Sequence, residues 1–405
     1  MSCVRTDWTV VAFGICLAAL VAYQQFKLPP VLPTLLQLYG YDHFLAGTFM
    51  SVYAAAGLLL SLPLGGLMQR YGAAPFIYLA FTLLIGANLL TLLAPPDGGV
   101  MLATRSLEGI AYAICAICGP IFANLSASPR NLPLVAALTA AWIPIGQVTA
   151  TLVAPAALAF GGWQWLWAVG LLGTVGMALW TRHLTRVGRL EPWPSGGPSG
   201  AASDRAAAAL SPADRIGLIL AAGIFMLWSS QYFAYMTWLP QYLVEAHGLS
   251  EVWAIAGYML PIVILLIVNL LTGLALRAGV PLGPLLLGAL LSQAALWWLA
   301  PLTTGVVAGI ASLVVYGIGA GITPSCLFAL PSAILGSRRA GPQAFAVVMT
   351  GRNIGVLIGP VLLAQIYEQA GSWMASVPIF GAATTIAAAA ALYFCRQRRG
   401  YGTSR

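Results

Sequence analysis

Charge is what this sequence has least of. Lys, Arg, Asp and Glu make up 7% of its 405 residues, where a soluble protein carries about a quarter. So few charges cannot cover the surfaces of compact soluble domains, which excludes a soluble enzyme. Lysine occurs once, as Lys27, and the three histidines, His43, His183 and His247, have no metal-ligand spacing. No Gly-x-x-x-x-Gly-Lys-Ser/Thr loop is present, so the chain is not expected to use ATP itself. Cys115-x-x-Cys118 has no second ligand pair and reads as small buried packing residues. No cofactor, metal or catalytic constellation is expected. The eighteen Lys and Arg form no basic stripe, which argues against nucleic acid. The 44 glycines follow no three-residue period, so collagen is excluded.

What is abundant is apolar sequence: 60% of residues are hydrophobic and the mean hydropathy is +0.89. A spanning helix needs about 20 mostly apolar residues. Twelve runs qualify, over 8–37, 45–69, 74–94, 99–123, 132–159, 163–182, 216–243, 252–276, 281–300, 304–335, 341–367 and 372–395. With the N-terminus in the cytoplasm, Arg5, Arg70, Arg130, Arg277, Arg338, Arg339 and the tail arginines fall on the inner side. The opposite loops hold Asp42, Asp97, Glu245, Glu251 and Glu368 and no Lys or Arg. That asymmetry predicts both termini inside. The arginine bias suggests a GC-rich bacterial genome, hence an inner (plasma) membrane.

Residues 187–214 are the one long polar interruption, rich in Pro, Gly, Ser and Ala, and read as a linker. The expected organisation is a six-helix bundle over 1–186, a cytoplasmic linker over 187–214, and a second six-helix bundle with a basic tail over 215–405. The halves repeat. Gln24-Gln25-Phe26 matches Gln231-Tyr232-Phe233, and Leu32-Pro33 matches Leu239-Pro240. Gly66-Leu67-x-x-Arg70-x-Gly72 recurs as Gly273-Leu274-x-x-Arg277-x-Gly279, all at an offset of 207 positions. At an offset of 205, Gly146 and Pro155 match Gly351 and Pro360. A parallel repeat of six spans is a pattern of transporters whose access alternates around a midplane site.

Over its whole length the chain resembles the major facilitator superfamily. That family carries a Gly-x-x-x-Asp-Arg-x-Gly loop between spans two and three. Here Gly65, Arg70 and Gly72 match, and Gln69 replaces the acid that helps hold the cytoplasmic gate. Arg277 is the repeat mate of Arg70. The fourth-span Arg-x-x-x-Gly motif stands as Arg105 to Gly109. The general pattern is similar to the cyanate and nitroimidazole transporter subgroup. The resemblance implies an all-α membrane protein of twelve transmembrane helices in two six-helix pseudo-repeats, working as a monomer in a lipid bilayer.

Four charges remain inside the spans: Lys27, Arg105, Glu108 and Arg352. A charge near a helix centre costs about 2.5–3.5 kcal/mol on insertion scales and faces a partner or a wet cavity. Lys27 is either a substrate contact or a side chain snorkelling to the interface. Gln24 and Gln231 are neutral substrate partners or helix–helix glue. Arg352, followed by Asn353, is an anion contact or a structural donor to carbonyls of a broken helix. Arg105 and Glu108 share a helix face, as a proton-coupling pair or a static one. The positive excess favours a small organic or inorganic anion as substrate, with protons as a candidate coupling ion. Two other readings stay open: an exporter of a drug-like compound or secreted metabolite such as a siderophore, and a non-transporting receptor or assembly factor.

Overall fold

The computed structural model describes residues 6–94, 97–128, 130–131, 134–135, 138–139, 141–190, 211–303, 305–335 and 342–401. Helices account for its architecture, and no strand occurs among the described residues. The chain divides into two compact units, Met1–Gly197 with Ser250–Ile255, and Pro198–Leu249 with Ala256–Arg405. The first contains α1 (Trp8–Phe26), α2 (Leu32–Tyr39), α3 (His43–Tyr71), α4 (Ala74–Leu93), α5 (Gly98–Leu125), α6 (Trp142–Ala159) and α7 (Gln164–Arg186). The second contains α8 (Pro212–Glu245), α9 (Glu251–Arg277), α10 (Leu282–Leu299), α11 (Val306–Leu335), α12 (Pro342–Ala370) and α13 (Val377–Tyr401).

Among the described residues, eleven candidate spans are long and apolar enough to cross a bilayer, with α1 and α2 forming one of them. The remaining long helix, α7, has 23 residues and is less apolar, with Gln164 at its start and Arg182, His183 and Arg186 near its end. The predicted spans therefore match the helices closely, with two differences. The first is broken: α1 stops at Phe26, and a short 3-10 turn over Pro29–Val31 precedes α2. Proline at 29 and 30 removes two backbone donors that a continuous helix requires. The last is longer, running to Tyr401. Most of the 187–214 linker, the pair Arg338 and Arg339, and part of the predicted fifth span before Trp142 lie outside the described residues.

Short polar side chains start several helices. Asp7 accepts from the amides of Thr9 and Val10, Asp42 from Leu45, Asp97 from Val100 and Ser211 from Asp214. Each relieves first-turn amides that have no partner within the helix. Glycine ends others, and the ends repeat. Gly40 and Gly248 have φ of 64° and 63°, and Gly72 and Gly279 have 82° and 88°. Such backbone favours glycine.

Within the first unit α1 is central, packing on α5, α6 and α7; within the second, α8 packs on α12, α13 and α11. Small residues allow this. A Cβ at Gly146 of α6 would come 2.5 Å from Ala19 O and 2.6 Å from Tyr23 N of α1. A Cβ at Gly355 of α12 would meet Met226 O and Ser230 N of α8, the positions 207 beyond Ala19 and Tyr23. The mate of Gly146 by contact is thus Gly355, one helical turn beyond the Gly351 that letter matching selects. Gly351, Gly355 and Gly359 form a stripe against the carbonyls of Ala222, Met226 and Ser230, a close helix approach that only small residues permit.

Gly355→Ala should therefore destabilise the protein by about 1–3 kcal/mol through overpacking, or prevent its recovery in folded form. Gly223→Ala, where a Cβ meets nothing within 4 Å, should leave stability unchanged or raise it, because Ala is the better helix former. Thermal melts of the two variants in detergent check this, and equal melting temperatures would contradict the packing.

Candidate functional site

The break in the first span creates the site. Residue 29 is proline, so the carbonyl of Gln25 has no helical donor four residues on. Arg105 of α5 supplies one: its Nη2 donates to Gln25 O at 2.9 Å, its Nη1 to Gln24 O at 2.8 Å, and its Nε to Phe49 O of α3 at 3.2 Å. The guanidinium lies 4.1 Å over the Tyr53 ring. The role of structural donor to a broken helix, anticipated as one option for Arg352, is filled by Arg105. Its planar fork suits several acceptors at once.

A buried guanidinium needs a counter-charge, and Glu108 stands one turn along the same helix. Its Oε2 accepts from Arg105 Nη1 at 2.8 Å and from Tyr53 OH at 2.7 Å. Its Oε1 accepts from Lys27 Nζ at 2.7 Å. Lys27 also donates to Gln24 Oε1 at 2.6 Å and Asn88 Oδ1 at 2.7 Å, and sits 4.5 Å from the Trp167 ring centre. Gln24 Nε2 in turn donates to Gly170 O at 3.0 Å and Thr174 Oγ1 at 3.2 Å of α7. Lys27, Arg105 and Glu108 have no exposed side-chain surface.

Lys27 therefore neither snorkels nor presents a spare donor: three acceptors take its three N–H directions. Asn88, Tyr53, Trp167 and Thr174 complete the cluster and were not anticipated. Asn88, the one carboxamide in the otherwise apolar α4, was the available signal.

The second unit has a counterpart without charge. Gln231 stands 207 positions beyond Gln24, and its Oε1 accepts from Trp297 Nε1 at 2.9 Å and Tyr316 OH at 3.0 Å. Trp297 and Tyr316 lie 209 and 208 positions beyond Asn88 and Glu108. The Lys27 and Arg105 positions become Ala234 and Leu313 at the same offsets of 207 and 208. One turn away, Trp228 Nε1 donates to Gln293 Oε1 at 2.9 Å.

Arg352, on α12, is 5% exposed. Its Nη1 donates to Asn353 Oδ1 at 3.0 Å and its guanidinium lies 5.5 Å from the Phe233 ring centre. Of the gate residues, Arg70 lies over Tyr71 at 5.3 Å and Gly72 caps α3 with positive φ. Arg277 is in the last turn of α9. Gly65 and Gln69 belong to α3, and their surroundings lie outside the described residues.

A family model described as Major Facilitator Superfamily matches residues 14–342. No curated protein matches the sequence. Among solved structures, the chain is similar to a D-xylose-proton symporter, with a TM-score of 0.74 at 14% identity over 96% of this chain and 97% of that one. It is also similar to a bacterial homolog of the human lysosomal transporter Spinster, in an inward-facing and occupied conformation, with a TM-score of 0.73 at 14% identity over 96% of both chains.

Replacing Glu108 by Gln strands two sealed cations, and should cost about 3–5 kcal/mol. Adding Lys27→Met should recover part of that loss, because the second cation goes with it. Melting temperatures of the two single variants and the double variant measure the coupling; additive losses would mean that the two side chains do not act as a pair.

Proposed function

The chain belongs to the major facilitator superfamily, and from that premise we propose that it is a secondary transporter of a small organic or inorganic anion. Access alternates across an inner membrane, with both termini cytoplasmic and proton movement as the coupling reaction. Two bundles, 1–186 and 215–405, joined by the 187–214 linker, are the moving parts. The observation that carries the substrate class is the buried charge. Among the described residues it consists of Lys27, Arg105 and Arg352 against the single carboxylate of Glu108. Excess positive charge in a low-dielectric interior is relieved by an arriving anion.

The roles divide by surroundings. Arg352, with Asn353 as its hydrogen-bonded neighbour, is the substrate contact, since a guanidinium offers a fork matched to carboxylate and other oxyanions. Lys27 and Gln24 are sealed around Glu108 and are assigned, with Arg105, to proton coupling. Glu108 holds three donors, and a proton on it would weaken its bonds to Lys27 and Arg105 and free a sealed side chain to rearrange. Arg70, Gly72, Gly65, Gln69 and Arg277 are the gate residues of this reading.

Purified protein should be stabilised by one class of small anion in a concentration-dependent way. A ligand at 100 times its Kd contributes about 2.7 kcal/mol to the folded form. The shift should vanish in Arg352→Gln. In proteoliposomes, an imposed pH gradient should drive uptake of the same anion, and Glu108→Gln should uncouple that uptake from the gradient. Stabilisation by lipophilic cations or neutral compounds alone would overturn the anion reading and favour export of a drug-like compound or metabolite. A folded protein that transports nothing would favour a receptor.

A further inference from the structure

The neutral cluster of the second unit has donors left over. Gln231 and Gln293 have no exposed surface, and the Nε2 atom of each has no hydrogen-bond partner among the described residues. Carboxamide orientation is often ambiguous, but here it is fixed by chemistry. Each Oε1 accepts from an indole N–H, which can only donate, so each Nε2 must face elsewhere. A buried, unmade hydrogen bond costs about 1–3 kcal/mol, and both such groups belong to side chains bonded across the same pair of helices. Trp228 and Gln231 are three residues apart on α8, Gln293 and Trp297 four apart on α10, so the two bonds are neighbouring rungs between the same helices.

The surroundings are aromatic and uncharged. Trp228 stacks on Tyr232 at 5.0 Å, and Tyr235 stacks on Tyr316 at 3.9 Å and meets Trp297 edge-on at 5.9 Å. At Gly319 of α11 a Cβ would come 2.7 Å from Gln293 Cγ, so the absence of a side chain there makes room for the amide. A buried water typically makes about three hydrogen bonds, so one that accepted from both amides would still need an acceptor for its own proton. Among the described residues, the unpartnered oxygens of this unit belong to Ser229, whose Cβ packs toward Gly355 of α12, and to Thr237 and Gln241, six and ten residues beyond Gln231. The lining therefore offers N–H groups and little to accept, which suits a ligand that only accepts. In the first unit the matching amide, Gln24 Nε2, has acceptors built in, Gly170 O and Thr174 Oγ1 of α7, whereas the Nε2 of Gln231 has none among the described residues.

We propose that the Nε2 groups of Gln231 and Gln293, between α8, α10 and α11, form a dehydrated binding site for a small monovalent anion. This rests on the anion-transport reading and narrows it to a site remote in sequence from Arg352. Amide N–H groups hold one dispersed charge without a cation, whereas a divalent oxyanion would go uncompensated there. The site selects halide-sized or nitrate-like ions over sulfate and phosphate.

The test uses the full chain, with bromide as probe. Crystals grown or soaked in bromide should show an anomalous peak within hydrogen-bonding distance of both Gln Nε2 atoms. In solution, bromide should quench tryptophan fluorescence saturably against a gluconate background, through Trp228 and Trp297, and sulfate should not. Gln231→Leu and Gln293→Leu should each weaken bromide binding at least tenfold, while Gly223→Ala, at a position with open space, leaves it within twofold. If a Leu variant does not fold, the anomalous peak on the unaltered chain decides alone. No peak at the amides, or quenching lost in Arg352→Gln and kept in both Gln variants, overturns this site while leaving the transport reading intact. Binding at the amides with no anion uptake in proteoliposomes would keep the site and overturn the transport reading.

Discussion

One carboxylate holds the buried charges of the first unit together. Pro29 and Pro30 interrupt the first span and leave carbonyls that a membrane interior cannot hydrate. Arg105 satisfies one of them, Gln25 O, together with the neighbouring Gln24 O, and brings a charge into a place where charge is costly. Glu108 neutralises Arg105 and has a second oxygen to spare. Lys27 fills that oxygen and reaches Gln24 and Asn88, tying the first, third and fourth spans at a single ammonium. Each step is forced by the one before it, and the sequence begins with two prolines.

The second unit shows the same backbone logic without that sequence of necessities. The positions 207 beyond Pro29 and Pro30 are Met236 and Thr237. Accordingly α8 runs without a break from Pro212 to Glu245. No carbonyls are orphaned by that pair, and the residue in the place of Arg105 is Leu313. Without an arginine there is no demand for a carboxylate, and Tyr316 stands in the place of Glu108. Features set by helix geometry, the glycine ends and the glycine contacts between helices, persist in both units; features set by the proline break do not.

This division explains what could be read from the letters alone. Span number and the duplication were legible because bilayer thickness fixes run length and because repeats keep their register at turns and prolines. Lys27, Arg105 and Glu108 stood out as membrane charges. Only the Arg105–Glu108 contact was legible as a pair, since three residues on one helix are neighbours by periodicity. Lys27 meets Glu108 across 81 positions, and nothing in either helix alone encodes that meeting. The clue to Arg105 was elsewhere, in the donors that Pro29 and Pro30 delete. Letter matching also misplaced the mate of Gly146, because Gly351, Gly355 and Gly359 present three equivalent glycines at one-turn intervals and only contact with α8 distinguishes them.

Buried ion pairs are poor evidence of stability, since apolar side chains of similar volume often serve as well. That comparison is usually made by mutation; here the chain contains it. The second unit places Ala234, Leu313, Tyr316 and Trp297 where the first places Lys27, Arg105, Glu108 and Asn88. It still forms a compact unit with α8 packed at its centre. A bundle of this kind therefore folds without the ionic cluster, and the charges of the first unit answer to something other than folding. The proline break and the clamp of charge around it occur together in the first unit and are both missing from the second, which fits the coupling role proposed for this place. The neutral unit keeps the amide at Gln231 and adds a second at Gln293, whose N–H donors have no partner among the described residues, whereas those of Gln24 are taken by Gly170 O and Thr174 Oγ1. The two halves thus differ in whether the amide at this position finds its acceptors within the protein.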